Sequence, residues 1–299
     1  MWLKQFQAFQ ISFDFEKDLA PHLEEHHLKA CPPHVRASFG WKTVQDNAYS
    51  LSINGYSICF FGKEERMLPV SVIGNTVEEK IRALTESRGY PLKRHERQQI
   101  KQDVEFDLLP KAFCIQKKWA VLFDAKRSRM YIQATSNQQI EMICALIHKS
   151  VPHSVDIQPI AARDDINAIW QRWLAHPEQI PHHLRLADRI QWIDSENTQK
   201  QIKCQGYDWE EDSADTWLNQ GYIPQELSFI WRDLIQFNLN EKLSFKRVIA
   251  LPELQEQIDA NDIEAEDELT NLLLIGHTYQ QLLDDMMSCF TSSEVLEPA

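Results

Sequence analysis

From Pro69 to Phe113 the chain reads PVSVIGNTVEEKIRALTESRGYPLKRHERQQIKQDVEFDLLPKAF, which spells a helix, a tight turn and a second helix running into a strand. Asn75 or Thr76 is placed to cap the first helix, with Glu78 and Glu79 in its first turn, where carboxylates suit the positive end of the helix dipole. Val77, Ile81 and Leu84 fall at i, i+4 and i+7, one apolar stripe. Gly89 sits where a left-handed cap is expected, and Pro91 bars continuation. The second helix is expected from about Lys93 to Leu108, with Ile100, Val104 and Leu108 one turn apart and Pro110 ending it.

The same region holds the basic charge that the rest of the chain lacks. Residues 63–129 carry 15 Lys and Arg against 10 Asp and Glu, a balance of +5. Of the chain's 31 basic and 44 acidic residues this leaves 16 against 34 elsewhere, or −18. Beyond Arg247 there is no Lys or Arg at all, while 12 Asp and Glu follow. A net charge of −13 repels a polyanion unless the positive charge is gathered in one sheltered place. Lys93, Arg97 and Lys101 recur at i, i+4 and i+8 with Arg94 alongside, and four residues rise about 6 Å along a helix, comparable to the spacing of phosphates on a strand. Cations so spaced read a nucleic-acid backbone and not its bases. The competing reading pairs them with Glu96 and Asp103 on a solvated face. Lys117 and Lys118 follow in the next strand, where neighbours point to opposite faces, so at most one can share the surface of the helix cluster. Lys126, Arg127 and Arg129 add a basic loop. The nine Trp are not interleaved with the basic run as in a single-strand stacking platform, and are expected in the core.

Around this stretch the pattern is α+β. A strand is expected within Trp2–Phe13, then a helix from Asp14 or Glu16 to about Leu28. Strands follow at Trp41–Ser52 and Gly55–Phe61, with Asn54-Gly55 as the hairpin signal between them. Phe113–Phe123 and Arg129–Gln133 form a further pair, followed by a helix at Ser136–Lys149, a short strand near Ile157 and a helix at Asp164–Leu174. Leu184–Trp209 is strand-like with breaks, and Asp212–Asn219 is a short helix stopped at Gly221. Leu227–Leu239 and Leu243–Leu251 read as a hairpin across Asn240-Glu241-Lys242, and a last helix covers Glu266–Ser288. Strands and helices are segregated rather than alternating, which favours antiparallel sheets with packed helices over a doubly wound parallel sheet. Pro152 and the stretch Ile160–Arg163 mark the expected division of the chain.

A composition of 43% hydrophobic and 25% charged residues is that of a water-soluble globular chain, and no apolar run reaches the roughly 18 residues of a membrane span. The opening MWLKQFQAFQISF lacks the apolar core and cleavage site of a signal peptide and reads as a first strand. Six scattered cysteines without a C-x-x-C pair imply reduced, mostly buried thiols in a cytoplasmic protein. With eight glycines there is no G-x-G-x-x-G, P-loop or nucleophile elbow. His22-Leu23-Glu24-Glu25-His26 fits H-x-x-E-H, and on a helix the two imidazoles could share a zinc with Glu25 as base. In a chain with 11 histidines a chance match on an acidic solvated face is the simpler explanation. No catalytic residue, cofactor or metal is expected.

Glu64-Glu65-Arg66-Met67-Leu68-Pro69, Val72-Ile73, Glu79-Lys80-Ile81 and Leu108-Leu109-Pro110-Lys111-Ala112-Phe113 together resemble the recombination-associated RdgC family. Trp2-Leu3-Lys4, Gly40-Trp41 and Phe245-Lys246-Arg247 fall in the family's order, so the likeness spans nearly the whole chain. The resemblance implies a non-enzymatic protein whose horseshoe-shaped monomers pair into a ring-shaped homodimer around duplex DNA. Such a ring binds duplex DNA, and single-stranded DNA as a secondary expectation, with little sequence preference, and restrains RecA-promoted recombination on the nucleoid in the cytoplasm. It implies a central α+β domain of residues 1–68 plus 113–160, an inserted helical hairpin of 69–112 and a C-terminal α+β domain of 161–299. Backbone contacts are then assigned to Lys93, Arg94, Arg97, Lys101, Lys117, Lys118, Lys126 and Arg127. Phe113 is assigned to ring closure, against the alternative of an ordinary core residue. Tyr90 and Cys204-Gln205-Gly206-Tyr207 depart from the residues the family places near that closing contact. From another class, the chain could be a scaffold whose helical hairpin docks an acidic protein.

Overall fold

Phe6–Ile11 carries apolar side chains on both of its faces, and it forms the strand on which the whole sheet hinges. The computed structural model describes residues 2–45, 47–209, 214–260 and 267–291. Among these, twelve strands pair antiparallel into one sheet. Its first part comprises β1 (Phe6–Ile11), β2 (Ala37–Lys42), β3 (Ser50–Ile53), β4 (Tyr56–Met67), β5 (Phe113–Asp124), β6 (Arg129–Ile132) and β7 (Ile157–Pro159). The second comprises β8 (Leu184–Asp194), β9 (Gln201–Gln205), β10 (Tyr222–Trp231), β11 (Ile235–Asn240) and β12 (Ser244–Ala250). The order is β2-β4-β5-β6-β1-β12-β11-β10-β8-β9, with β3 on β4 and β7 on β1. Within the described sheet β1 joins the parts, pairing Gln7 with Ile132 of β6 on one side and with Ser244 of β12 on the other.

Seven helices are placed against this sheet or beyond it: α1 (Val70–Arg88), α2 (Arg94–Leu108), α3 (Asn137–Ser150), α4 (Ile166–Ala175), α5 (Asp215–Asn219), α6 (Pro252–Ala260) and α7 (Asp267–Cys289). One sheet face, carrying Phe6, Ile58, Leu122, Trp192, Phe229, Phe237 and Phe245, is buried under α4 and α7. The approach of α7 is close: a Cβ on Gly276 would lie 2.5 Å from the Tyr56 ring. The Tyr279 hydroxyl locks this helix to β1's approach, donating to the Leu3 carbonyl at 3.1 Å and accepting from the Leu3 amide at 3.0 Å. Among the described residues the opposite face is covered over its first part, where α3 packs Ile140, Ile143 and Ile147 on Phe9, Val121 and Ile132.

Strands β4 and β5 pair over their full length, from Tyr56↔Asp124 to Met67↔Phe113, and run past the core as a ribbon. Residues 120–124 of β5 are buried, whereas 113–118 are exposed on both faces. The α1–α2 hairpin stands at the end of this ribbon. Arg66 fixes its root: Nη1 donates to the carbonyls of Leu109, Pro110 and Ala112 at 3.2–3.3 Å, and Nη2 and Nε donate to Cys31 and Pro32. The Leu109, Pro110 and Ala112 carbonyls lie just past the end of α2, so one planar guanidinium ties the chain leaving the hairpin to the Cys31-Pro32 segment.

Several expectations are corrected here. The first hairpin helix starts at Val70, not at Asn75 or Thr76, because the Pro69 carbonyl accepts from Val72 and Ile73 and so opens the helix earlier. Thr76 lies inside the helix, donating back to the Val72 carbonyl at 2.9 Å. Val77, Ile81 and Leu84 are half-buried and Ile73 is the buried α1 side chain, since α1 has one neighbouring helix and no third layer. Gly89 takes the left-handed cap at φ 76°, as expected. The expected helix to Leu28 is instead a π turn at Phe15–Leu19 and a 3₁₀ turn at Ala20–His22; Pro21 has no N–H with which to continue an α-helix. The region Trp41–Ser52 breaks into β2 and β3. The single strand expected over Leu227–Leu239 is two, turned at Arg232 and Asp233, both with positive φ. The helix α6 had no counterpart among the expectations. Asp212 and Glu266 lie outside the described residues. No disulfide joins cysteines among the described residues; Cys31 and Cys59 are buried, Cys144, Cys204 and Cys289 half-buried, and Cys114 exposed.

Candidate nucleic-acid interface

On α2, Glu96, Asp103 and Asp107 lie away from the basic stripe, while Glu105 stands one turn past Lys101 on its side. These four carboxylates all have partners: Glu96 accepts from the Lys93 amide at 2.8 Å and from Arg88 of α1 at 2.7 Å, and Asp103 accepts from Gln99 at 2.9 Å. Glu105 pairs with Arg36 at 2.5 Å and Asp107 with Lys80 of α1 at 3.1 Å. The Lys93 amide first, and then Arg88, hold the Glu96 carboxyl below its usual range, so it stays ionised and occupied. The intrahelical pairing of Glu96 and Asp103 with the basic stripe therefore does not form. Lys93, Arg94, Arg97 and Lys101 are all exposed and make no ion pair among the described residues. Arg94, Arg97 and Lys101 stand at i, i+3 and i+7, one stripe along the helix.

The other expected contacts are separate from this stripe. On β5, Lys117 and Lys118 point to opposite faces, as strand alternation requires. Lys117 pairs with Glu65 at 2.5 Å, and Lys63 reaches the same carboxylate; the two lysines hold it below its usual range, Lys117 contributing most. Lys118 lies over the Phe60 ring, 4.5 Å from its centre. Lys126 and Arg127 are in the β5–β6 loop, at the far end of β5 from the hairpin; 11 steps of about 3.3 Å put roughly 36 Å between them and Phe113. Lys126 is exposed, while Arg127 pairs with Asp284 of α7 at 3.2 Å, as Arg129 does at 2.5 Å. Of the eight basic residues expected at the interface, Arg94, Arg97 and Lys101 are gathered on α2 with Lys93 at its cap, and four are not.

Phe113 is 87% exposed at the first position of β5, which excludes the core-residue alternative. It stands directly opposite Met67, and Ile115 and Phe39 are exposed on the same ribbon face. Four large apolar side chains uncovered together on a strand ribbon form the kind of patch that marks a contact surface. Tyr90, in the α1–α2 turn, is exposed, and Gly206 has φ 70° beside a buried Tyr207. The H-x-x-E-H match does not stand on an α-helix: His22 ends a 3₁₀ turn and pairs with Glu25 at 3.7 Å. No group of three His, Cys, Asp or Glu side chains among the described residues is placed to hold a metal ion. Arg66 was missed as a positioning residue; its signal was an arginine next to the ribbon's end, facing the helix terminus that Leu108-Leu109-Pro110 announces.

A family model described as "Putative exonuclease, RdgC" matches residues 1–293. The chain is 27% identical to the recombination-associated protein RdgC of Psychromonas ingrahamii, over 99% of this chain and 100% of that protein. It is 28% identical to the protein of the same name from Pasteurella multocida, over 89% and 88% of the two chains. With that of Haemophilus influenzae strain PittGG it shares 26% over 89% of each.

Proposed function

The chain belongs to the RdgC family, a recombination-associated family, and from that premise we propose that it binds duplex DNA without sequence preference as a ring-shaped homodimer. In this reading it encircles the duplex, restrains RecA-dependent recombination by occupying the DNA, acts on the nucleoid in the cytoplasm, and takes single-stranded DNA as a secondary partner. The observation that carries it is the α2 stripe: four cations with no ion-pair partner among the described residues, beside carboxylates that are all engaged elsewhere, in a chain of net charge −13. An acidic exterior with cations turned toward a hole focuses positive potential where the duplex passes. Phe113 closes the ring by burying its ring in the partner. Residues 1–68 with 113–160, 69–112 and 161–299 act as centre, tip and base; the β4–β5 ribbon frames the tip. No helix among the described residues is long and apolar enough to cross a membrane.

The matching family description names an exonuclease; we read the chain as binding DNA without cutting it. The same stripe would also take an acidic protein, the reading in which the hairpin is a docking scaffold. A salt titration on two duplexes of unrelated sequence separates these. The expected result is equal affinity for both, falling with a log–log slope of about −0.9 per phosphate contacted, hence about −3.6 for the four α2 cations alone, with both duplexes intact in the presence of Mg²⁺. Absent binding at 50 mM salt contradicts the DNA reading and favours the scaffold; shortened duplexes contradict the non-enzymatic reading.

A further inference from the structure

The second face of the sheet changes character at β1. Up to β1 it is apolar and buried under α3; beyond β1 no described element covers it. The strands there place polar side chains on that face, Lys203 and Gln205 on β9, Arg189 and Gln191 on β8, the buried Asn238 on β11 and Lys246 on β12, with Ile193, Ile230 and Ile249 toward its ends. The register carries the polar side chains across one surface, with Gln191 opposite Lys203, Arg189 opposite Gln205, and Asn238 opposite Lys246. They line a cleft of about 310 Å³.

We infer that this uncovered half-face is a second contact surface for the duplex backbone, resting on the reading of the chain as a DNA-binding protein. Its chemistry differs from that of the chain as a whole. Arg189, Lys203 and Lys246 stand here with Glu226 as the carboxylate within the cleft and Asp188 at its edge, in a chain where acids outnumber bases. Lys203 makes no ion pair among the described residues. Glu226 is spoken for by Lys246 at 2.7 Å and Asn238 at 2.8 Å; burial alone would raise its carboxyl, but these two partners hold it below the usual range. Arg189 donates to Gln205 at 2.8 Å and lies 3.8 Å from Asp188.

Gln191 and Asn238 use their amide donors within the surface, on Gln201, Gln225 and Glu226, whereas Gln205 accepts from Arg189 and has its N–H groups to offer phosphate and sugar oxygens. Five strands about 4.8 Å apart make a surface about 19 Å wide, enough to touch both sides of a minor groove about 6 Å across. The exposed aromatics among the described large hydrophobics are Phe39, Tyr90, Phe106 and Phe113, none of them on these strands. A surface with cations and amides but no stacking ring fits a duplex backbone and not splayed bases.

The test is fluorescence anisotropy with a mixed-sequence duplex across a salt series, comparing wild type with the double variant Arg189→Gln/Lys203→Gln and with Glu226→Gln. Glutamine at 226 keeps one acceptor oxygen, for Asn238 or for Lys246, and removes the negative charge. Two lost contacts flatten the slope by about 1.8 and weaken binding about 30-fold at 0.15 M salt, and Glu226→Gln tightens binding about fivefold, a gain that misfolding does not produce. Wild-type affinity and slope in both variants, alongside weakened binding by an α2 variant, overturns this inference and leaves the DNA reading standing. A loss confined to single-stranded probes overturns the duplex assignment. No duplex binding by wild type overturns both.

Discussion

Replacing Lys93, Arg94, Arg97 and Lys101 together by glutamine weakens duplex binding about 10³-fold at 0.15 M salt and flattens the salt dependence by about 3.6. The magnitude follows from counterion release: each contact contributes about 0.9 to the slope, and at that ionic strength about 0.7 of a decade in affinity. The loss is the same for every sequence, because cations spaced along a helix face meet phosphates and not base edges. Fold stability is unchanged, since the four side chains are exposed and make no ion pair among the described residues. Anisotropy titrations on two unrelated duplexes, with thermal melts of both proteins, check this. A loss on one sequence only, or an unchanged slope, contradicts backbone contact by α2.

Serine at Phe113 loosens the dimer by about 10³-fold. A central aromatic truncated at an interface costs about 2 kcal/mol or more, and twofold symmetry counts the residue twice. Some 4 kcal/mol at 1.4 kcal/mol per decade gives the three decades. The monomer is left intact, because the side chain is already 87% exposed there and supports no core contact. Sedimentation across a concentration series measures the shift, and the melting curve at low concentration stays where it is. A dimer constant within a factor of a few of wild type removes Phe113 from the interface.

What the sequence revealed and what it hid have distinct physical origins. The second hairpin helix was legible nearly to the residue, because Pro91 and Pro110 flank it and Gly89 marks the turn. The start of the first was not, because no side chain marks it: the Pro69 carbonyl nucleates the helix, and Asn75 and Thr76 are good caps in a place where none is needed. The split of β10 from β11 was hidden for a similar reason, with Arg232 and Asp233 in left-handed conformations that usually fall to Gly or Asn. Of the interface, the α2 stripe was legible as spacing. Its freedom from Glu96 and Asp103 was not, because that depends on Arg88 across the hairpin and on a Gln99 side chain. The compensation of Arg127 by Asp284 joins residues 157 positions apart and has no local signal. The polar half-face did have one: Gln201-Ile202-Lys203-Cys204-Gln205 and Gln236-Phe237-Asn238-Leu239-Asn240 alternate with period two, the pattern of a strand with one face in water.

Arg97 lies mid-stripe, one turn from Lys93 and from Lys101, and reports most directly on what the hairpin touches. With a photocrosslinking residue in its place, irradiation of the complex on a mixed-sequence duplex is expected to give protein–DNA adducts distributed over all registers of the duplex. Adducts absent from DNA while the protein still shifts the duplex, or formed instead with a bound protein, contradict the assignment of α2 to the DNA backbone.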